Sequence, residues 1–123
     1  MNSVRVADTS FLYAVLSTSD RFHEAATVEA NKPEPILIPS EIFSETLALV
    51  HYRRGFKAAR VAGQWLRTQV GVRIAPPSPP ILEDAWAIFV RRRGRLSYPD
   101  AVVLAWCSSV RGTPLAYDKA ITG

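Results

Sequence analysis

The chain has 123 residues, a mass of 13.6 kDa and 48% hydrophobic residues, which is the size and composition of one folded domain. The single cysteine, Cys107, excludes an internal disulfide framework and a zinc site built from several cysteines. The net charge of +4 is divided unevenly: residues 1–49 carry a net −4, and residues 50–123 carry a net +8. Clustered arginine is typical of proteins that bind polyanions such as nucleic acids, although a solvated, arginine-rich surface explains the same pattern.

The sequence predicts short strands that alternate with helices. In chain order the predicted elements are a strand at 4–7, helices at 9–16 and 22–30, a strand at 36–38, helices at 40–52 and 56–70, a strand at 72–75, helices at 81–92 and 99–110, and a strand at 115–117. Prolines 76, 77, 79 and 80 predict a rigid connector before the fifth helix. The last helix is apolar on nearly every side, which predicts burial.

This alternation predicts a single domain, residues 1–123, of the α/β class. Right-handed crossovers between such strands produce a three-layer, Rossmann-like fold, with a mainly parallel sheet of four or five strands flanked by helices. Functional residues in such sheets lie beyond the carboxyl ends of the strands. No run of about 18 apolar residues and no signal peptide are present, so we expect a cytoplasmic protein without membrane association.

Four acidic residues are candidates for that edge of the sheet. Asp8 and Asp118 follow the first and fourth predicted strands, Asp100 opens the last helix, and Glu45 lies beside the apolar stripe of the third helix. Three of them also have a structural interpretation: Asp8 and Asp100 fit helix caps, with Ser97 completing a capping box, and Glu45 fits a half-exposed surface position.

Taken together, these four carboxylates predict a metal site. Like charges that converge repel one another unless a divalent cation lies between them. Oxygen ligands without histidine or cysteine favour Mg²⁺ or Mn²⁺. A carboxylate-held cation beside a basic surface is suited to the hydrolysis of phosphodiester bonds.

The residues around these carboxylates carry a resemblance to a known family. The motifs are Val-Ala-Asp8-Thr9-Ser10-Phe, Ile-Phe-Ser-Glu45-Thr-Leu-Ala-Leu, Leu96-Ser97-Tyr-Pro-Asp100-Ala101 and Leu-Ala-Tyr-Asp118-Lys119. In this order and spacing the sequence resembles PIN-domain ribonucleases, and its short length is similar to that of the VapC toxins of type II toxin–antitoxin systems. The sequence departs from the family pattern at Ala116, where PIN domains often carry threonine or serine.

The resemblance implies a metal-dependent endoribonuclease that cleaves RNA, is held inactive by a cognate antitoxin and forms a homodimer. An antitoxin segment bearing arginine or lysine could pair with the carboxylates, because buried charges need matched partners. We expect its apolar residues to use a groove on the helices that carry Phe43, Leu47 and Trp65, and the alternative is that these side chains serve core packing or self-association.

The densest basic cluster is assigned to RNA binding. It consists of Arg91, Arg92, Arg93 and Arg95. Arginines at the C-terminal end of a helix also suit the helix dipole, which is the structural alternative. Two other function classes stay open: a non-catalytic PIN-like RNA-binding domain, and a phosphotransfer or receiver-like domain in which Asp8 is the nucleophile.

Overall fold

The computed structural model describes residues 3–117, and four strands and six helices alternate along this part of the chain. The strands are β1 (Arg5–Ala7), β2 (Ile36–Pro39), β3 (Val72–Ala75) and β4 (Thr113–Leu115). The helices are α1 (Thr9–Leu16), α2 (His23–Ala30), α3 (Ser40–Arg54), α4 (Phe56–Thr68), α5 (Pro79–Arg92) and α6 (Tyr98–Val110). Each predicted element is present, with its ends displaced by at most two residues.

The sheet is entirely parallel and has the strand order β3-β2-β1-β4. The two central strands, β1 and β2, are buried along their whole length, as expected for short apolar strands covered on both faces by helices. The predicted α/β fold is therefore confirmed. Because β1 lies next to β4, the carboxyl ends of these two strands meet at one edge of the sheet.

The core lies between the sheet and the helices that cover it. Its largest fully buried side chains include Phe11 of α1, Ile38 of β2 and Ile42 of α3. The last helix buries Val102 and Val103, so the burial predicted from its apolar sequence is confirmed. Within residues 3–117, no helix combines the length and the hydropathy needed to cross a membrane.

The prediction of a proline connector was wrong in one respect. Only Pro76 and Pro77 connect β3 to α5, because Pro79 and Pro80 form the first turn of the helix. Proline is suited to this turn, since its fixed backbone torsion matches the helix and its missing N–H group is not needed there.

The fourth strand lies earlier in the sequence than predicted. Its register pairs Arg5 with Thr113 and Ala7 with Leu115, so β4 ends where its neighbour β1 ends. The prediction that Asp118 directly follows this strand was therefore wrong, and Asp118 lies outside the described residues. Gly112 allows the close approach of β4 to β1, because a Cβ atom there would lie 2.4 Å from the carbonyl oxygen of Val4.

Candidate active site

Asp8 lies at the carboxyl end of β1 and is the N-cap of α1. Its main-chain N–H donates to the carbonyl oxygen of Leu115 at 3.0 Å, which ties it to the end of β4. Its carboxylate oxygen Oδ1 accepts from the main-chain N–H of Phe11 at 2.9 Å, and the residue is only 2% exposed. The capping interpretation of Asp8 is thus correct, and it fixes a buried carboxylate at the edge where function was expected.

Ser10 connects this carboxylate to the chain beyond β4. Its hydroxyl donates to Asp8, with distances of 2.8 Å to Oδ1 and 3.0 Å to Oδ2. The same oxygen accepts from the main-chain N–H of Tyr117 at 2.9 Å. One hydroxyl therefore orients Asp8 and positions the segment that leads to Asp118.

Thr9 connects the same corner to α3. Its hydroxyl donates to the carboxylate oxygen Oε1 of Glu45, which is half-buried in the second turn of that helix. Since Thr9 follows Asp8 directly, this hydrogen bond brings Glu45 to the edge at which Asp8 lies. The structure therefore joins two of the four predicted carboxylates through a single intervening residue.

Asp100 lies in the first turn of α6. The hydroxyl of Ser97 accepts from the main-chain N–H of Asp100 at 3.2 Å, so the predicted cap by Ser97 is confirmed. Because α6 leads into β4, which is parallel to β1, the first turn of α6 lies towards the carboxyl edge of the sheet. The topology thus directs Asp100 towards the edge that carries Asp8.

These three carboxylates, however, do not form a closed cluster by themselves. Among residues 3–117, no group of three or more histidine, cysteine, aspartate or glutamate side chains is arranged to hold a metal ion. The fourth predicted ligand, Asp118, lies outside the described residues. The predicted ligand set therefore stays a prediction. From here on, "acidic edge" means Asp8, Glu45 and Asp100.

The predicted RNA-binding arginines lie in the last turn of α5 and in the turn that joins it to α6. Arg91 and Arg92 end α5, and Arg93 is its left-handed C-cap residue, with a φ angle of 53°. Arg91, Arg93 and Arg95 are exposed. We call residues 91–95 the arginine turn; it leads directly into the helix whose first turn contains Asp100.

An aromatic stack that was not predicted adjoins the acidic edge. The ring of Tyr117 is stacked on that of Phe22, with 4.3 Å between centroids and 2° between planes. The guanidinium carbon of Arg21 lies 4.7 Å from the centroid of the Phe22 ring. Burial raises the pKa of Tyr117, and the negative charges of Glu29, Asp20 and Asp8 raise it further. No motif links these residues, because they meet only in the folded chain.

The chain matches a known protein family along most of its length. A family profile described as the PIN domain matches residues 5–122. The chain belongs to the PIN-domain family. The match spans all four predicted carboxylates of this PIN domain, and nucleases of the family that are named VapC generally use a divalent metal ion.

Relatives of this PIN domain include a curated protein named "23S rRNA-specific endonuclease VapC20", found in two strains of Mycobacterium tuberculosis. It is 33% identical over 100 residues, which cover 80% of this chain and 76% of the relative. The prediction of a PIN-domain ribonuclease of the VapC toxin class is therefore confirmed.

Two solved structures share the fold of this PIN domain. The crystal structure of Mycobacterium tuberculosis VapC20, described as a sarcin–ricin loop cleaving toxin, has a TM-score of 0.85 and 28% identity, covering 96% of this chain and 92% of that one. A toxin–antitoxin complex from Klebsiella pneumoniae has a TM-score of 0.67 and 21% identity, covering 94% and 87% of the two chains. The second likeness shows the fold alone.

Away from the acidic edge, the PIN domain has an apolar groove between α1, α3 and α4. Its volume is about 530 Å³, and it is lined by Tyr13, Val50 and Trp65, with Arg54 and Lys57 among its basic residues. Trp65 is 42% exposed, so the groove presents a large apolar side chain to solvent.

A groove on α3 and α4 is present, as predicted, and Trp65 lines it. Phe43 and Leu47 do not line this groove and lie close to Gly63 of α4. A Cβ atom at Gly63 would lie 3.1 Å from Leu47 Cδ2, which shows how closely α3 and α4 approach there. Phe43 and Leu47 therefore contribute to the packing of α3 on α4, and Leu47 also lines a second groove with His51 and Phe56.

Proposed function

We propose that this PIN domain is a divalent-metal-dependent endoribonuclease, the toxin of a toxin–antitoxin pair, and that residues 1–123 act as one PIN-like domain in the cytoplasm. The observation that carries the proposal is the corner formed by Asp8, Thr9 and Glu45. There, a buried, hydrogen-bonded carboxylate and a second carboxylate occupy the edge of the sheet where such folds place their active sites. The VapC endonuclease relatives support the same reaction class.

The residues at this edge suit a divalent cation. The donors are carboxylate oxygens, and hard ligands of this kind favour Mg²⁺ or Mn²⁺. We assign Asp8, Glu45, Asp100 and Asp118 as the ligands. When bound, a divalent cation supplies the acidity that activates water and the positive charge that neutralises a phosphate group.

The residues of the chain orient that chemistry. The N–H group of Phe11 and the hydroxyl of Ser10 hold the Asp8 carboxylate in one direction, and Thr9 holds Glu45. Hydrogen bonds of this kind fix ligand orientation and commonly determine activity in metal sites. In the overall reaction, water adds to phosphorus and the bond from phosphorus to one ribose oxygen breaks.

RNA is the proposed substrate, and the arginine turn is the proposed site of its backbone. Arg91, Arg92, Arg93 and Arg95 lie at the start of the segment that carries Asp100, so they can neutralise phosphates close to the acidic edge. Because the relatives are named for 23S rRNA, and the solved VapC20 for its sarcin–ricin loop, we propose that loop as the first substrate to test.

An antitoxin protein is the proposed inhibitor. The acidic edge attracts a basic side chain when no cation is bound, and each buried carboxylate then requires a matched positive charge. The groove beside Trp65 offers an apolar surface for the rest of such a segment.

A homodimer is the proposed assembly. Its proposed contact is α5, whose residues Trp86 and Val90 are 57% and 54% exposed. Large apolar side chains exposed on one helix are typical of protein–protein contacts. Light scattering measures the molar mass of the purified protein and of a Trp86→Ser variant. We expect the mass of a dimer for the protein and that of a monomer for the variant.

The proposed function is tested by incubating the purified protein with total RNA in Mg²⁺, Mn²⁺ or EDTA. We expect discrete cleavage products with either metal and none with EDTA. RNA binding without cleavage in any metal would instead support the non-catalytic RNA-binding alternative.

A further inference from the structure

Residues 1–49, which carry a net negative charge, contain three basic residues. Two of them, Arg5 and Lys32, make structural contacts. Arg5 is buried, and its Nη1 and Nη2 atoms each donate at 2.6 Å, to the carbonyl oxygens of Glu29 and Glu34. The ammonium group of Lys32 pairs with the Glu29 carboxylate at 2.8 Å. Arg21 is the third, and it is exposed.

Arg21 is connected to the active-site corner through a short series of contacts. Its guanidinium lies over the ring of Phe22, and that ring is stacked on Tyr117. The main-chain N–H of Tyr117 donates to the hydroxyl of Ser10, which in turn donates to Asp8. Three neighbouring contacts therefore join the exposed guanidinium to the residue that holds Asp8.

The turn that carries Arg21 is also held in place. The Asp20 carboxylate accepts from the main-chain N–H of Phe22 at 2.9 Å, and the main-chain N–H of Asp20 donates to the carbonyl oxygen of Ser17 at 3.1 Å. A guanidinium stacked on an aromatic ring keeps its planar N–H donors available, and less side-chain entropy is lost when it binds an anion.

We propose that Arg21 binds a backbone phosphate of the RNA beside the acidic edge; this inference rests on the proposed ribonuclease function. The carboxylates repel a phosphodiester, and a fixed positive charge at their margin offsets this repulsion locally. Planar recognition of two phosphate oxygens is the contact for which a guanidinium is suited. Arg21, joined to Asp8 through Phe22, Tyr117 and Ser10, would thus add one phosphate contact to those made by the arginine turn.

The test measures binding of a fluorescein-labelled hairpin with the sarcin–ricin sequence of 23S rRNA, over a range of salt concentrations. All proteins carry Asp100→Asn, which is expected to suppress cleavage, and Arg21→Ala is compared with Arg67→Ala. Arg67 is the matched control because it is an exposed arginine near the C-terminal end of α4, at the opposite edge of the sheet. Arg21→Lys tests whether charge alone suffices.

Loss of Arg21 should weaken binding about tenfold, as expected for a hydrogen-bonded charge. The slope of log affinity against log salt should fall by about 0.7, the value for one phosphate of a single strand. Arg67→Ala should match the parent protein, and Arg21→Lys should keep the slope but recover only part of the affinity.

Equal affinities and slopes for Arg21→Ala and Arg67→Ala would overturn this inference and leave the ribonuclease proposal intact. If Arg21→Ala kept its RNA affinity but lost binding to a co-expressed antitoxin, the residue would belong to a protein contact, which also overturns the inference. Failure of the protein without any substitution to bind or cleave any RNA would overturn the proposed function itself.

Discussion

The acidic edge and the arginine turn differ in how their side chains are held. Asp8 is almost fully buried and accepts hydrogen bonds from the main chain and from Ser10, whereas three of the four arginines are exposed at the end of a helix. Bond hydrolysis requires ligands fixed in one direction, while attraction of a polyanion requires only charge at the right distance. The two regions should therefore respond differently to substitution, to salt and to conservative replacement.

The largest expected effect comes from the acidic edge. Asp8→Asn and Asp100→Asn should each lower RNA cleavage by more than about a hundredfold, which exceeds the usual loss from removing a ligand's hydrogen-bonding partner. Asparagine is a good N-cap, so Asp8→Asn should keep the fold. Gel assays and circular dichroism measure the two outcomes, and Asp84→Asn, an exposed site on α5, is the control. Cleavage by Asp8→Asn at the normal rate would show that the catalytic carboxylates lie elsewhere.

The arginine turn should act through salt-sensitive binding. Replacing its four arginines by glutamine should reduce the slope of log affinity against log salt by about 3, since each lost phosphate contact contributes about 0.7. Measured with saturating RNA, the cleavage rate should change little.

The matched control for the arginine turn removes four other exposed arginines. These are Arg60, Arg67, Arg73 and Arg111. Arg111 is a left-handed cap residue with a φ angle of 52°, so it matches Arg93 in backbone strain. If both quadruple variants gave the same slope, the arginine turn would be an ordinary solvated surface.

Ser10 tests whether orientation matters at the acidic edge. Ser10→Ala removes a donor to Asp8 and the acceptor for the N–H of Tyr117, so the turnover rate should fall about tenfold. Ser10→Thr retains a hydroxyl and should recover most of it. Ser109→Ala, at an exposed position of α6, should have no effect. Normal turnover of Ser10→Ala would show that Asp8 is oriented without it.

The smallest expected effect is on stability, and it separates the role of Asp8 as the N-cap of α1 from its proposed role as a metal ligand. Asp8→Ala removes the N-cap of α1 and should lower the free energy of unfolding by at least about 1 kcal/mol. Asp8→Asn should lose less, since its amide oxygen can still accept from Phe11. Urea denaturation of both variants measures the difference. Equal losses would mean that the cap interaction contributes nothing to stability.

Much of the fold could be predicted because local patterns determine it. The helix of residues 9–16 and the buried last helix follow from apolar spacing and caps that lie close together in sequence. The short fourth strand was misplaced because its limits are set by pairing with Arg5–Ala7, which no local pattern contains.

The site could be predicted only in part, for the same reason. Asp8 and Asp100 were found because they adjoin a strand end and a helix start. The roles of Thr9 and Ser10 depend on contacts with residues that lie 36 and 107 positions away in the sequence. The role of Arg21 depends on the stack of its neighbour Phe22 with Tyr117, which lies 95 positions from Phe22. Hydroxyl and guanidinium groups at such positions have no signature in a single sequence.

Direct binding of Mn²⁺, followed by the electron paramagnetic resonance signal of the free ion, tests the central claim that the acidic edge holds a divalent cation. The proteins compared are the unaltered chain, Asp8→Asn, Glu45→Gln and the exposed control Asp84→Asn. The account predicts that the unaltered chain and the control bind Mn²⁺ equally, and that the other two bind at least about tenfold more weakly. Unchanged Mn²⁺ affinity in both Asp8→Asn and Glu45→Gln would contradict it.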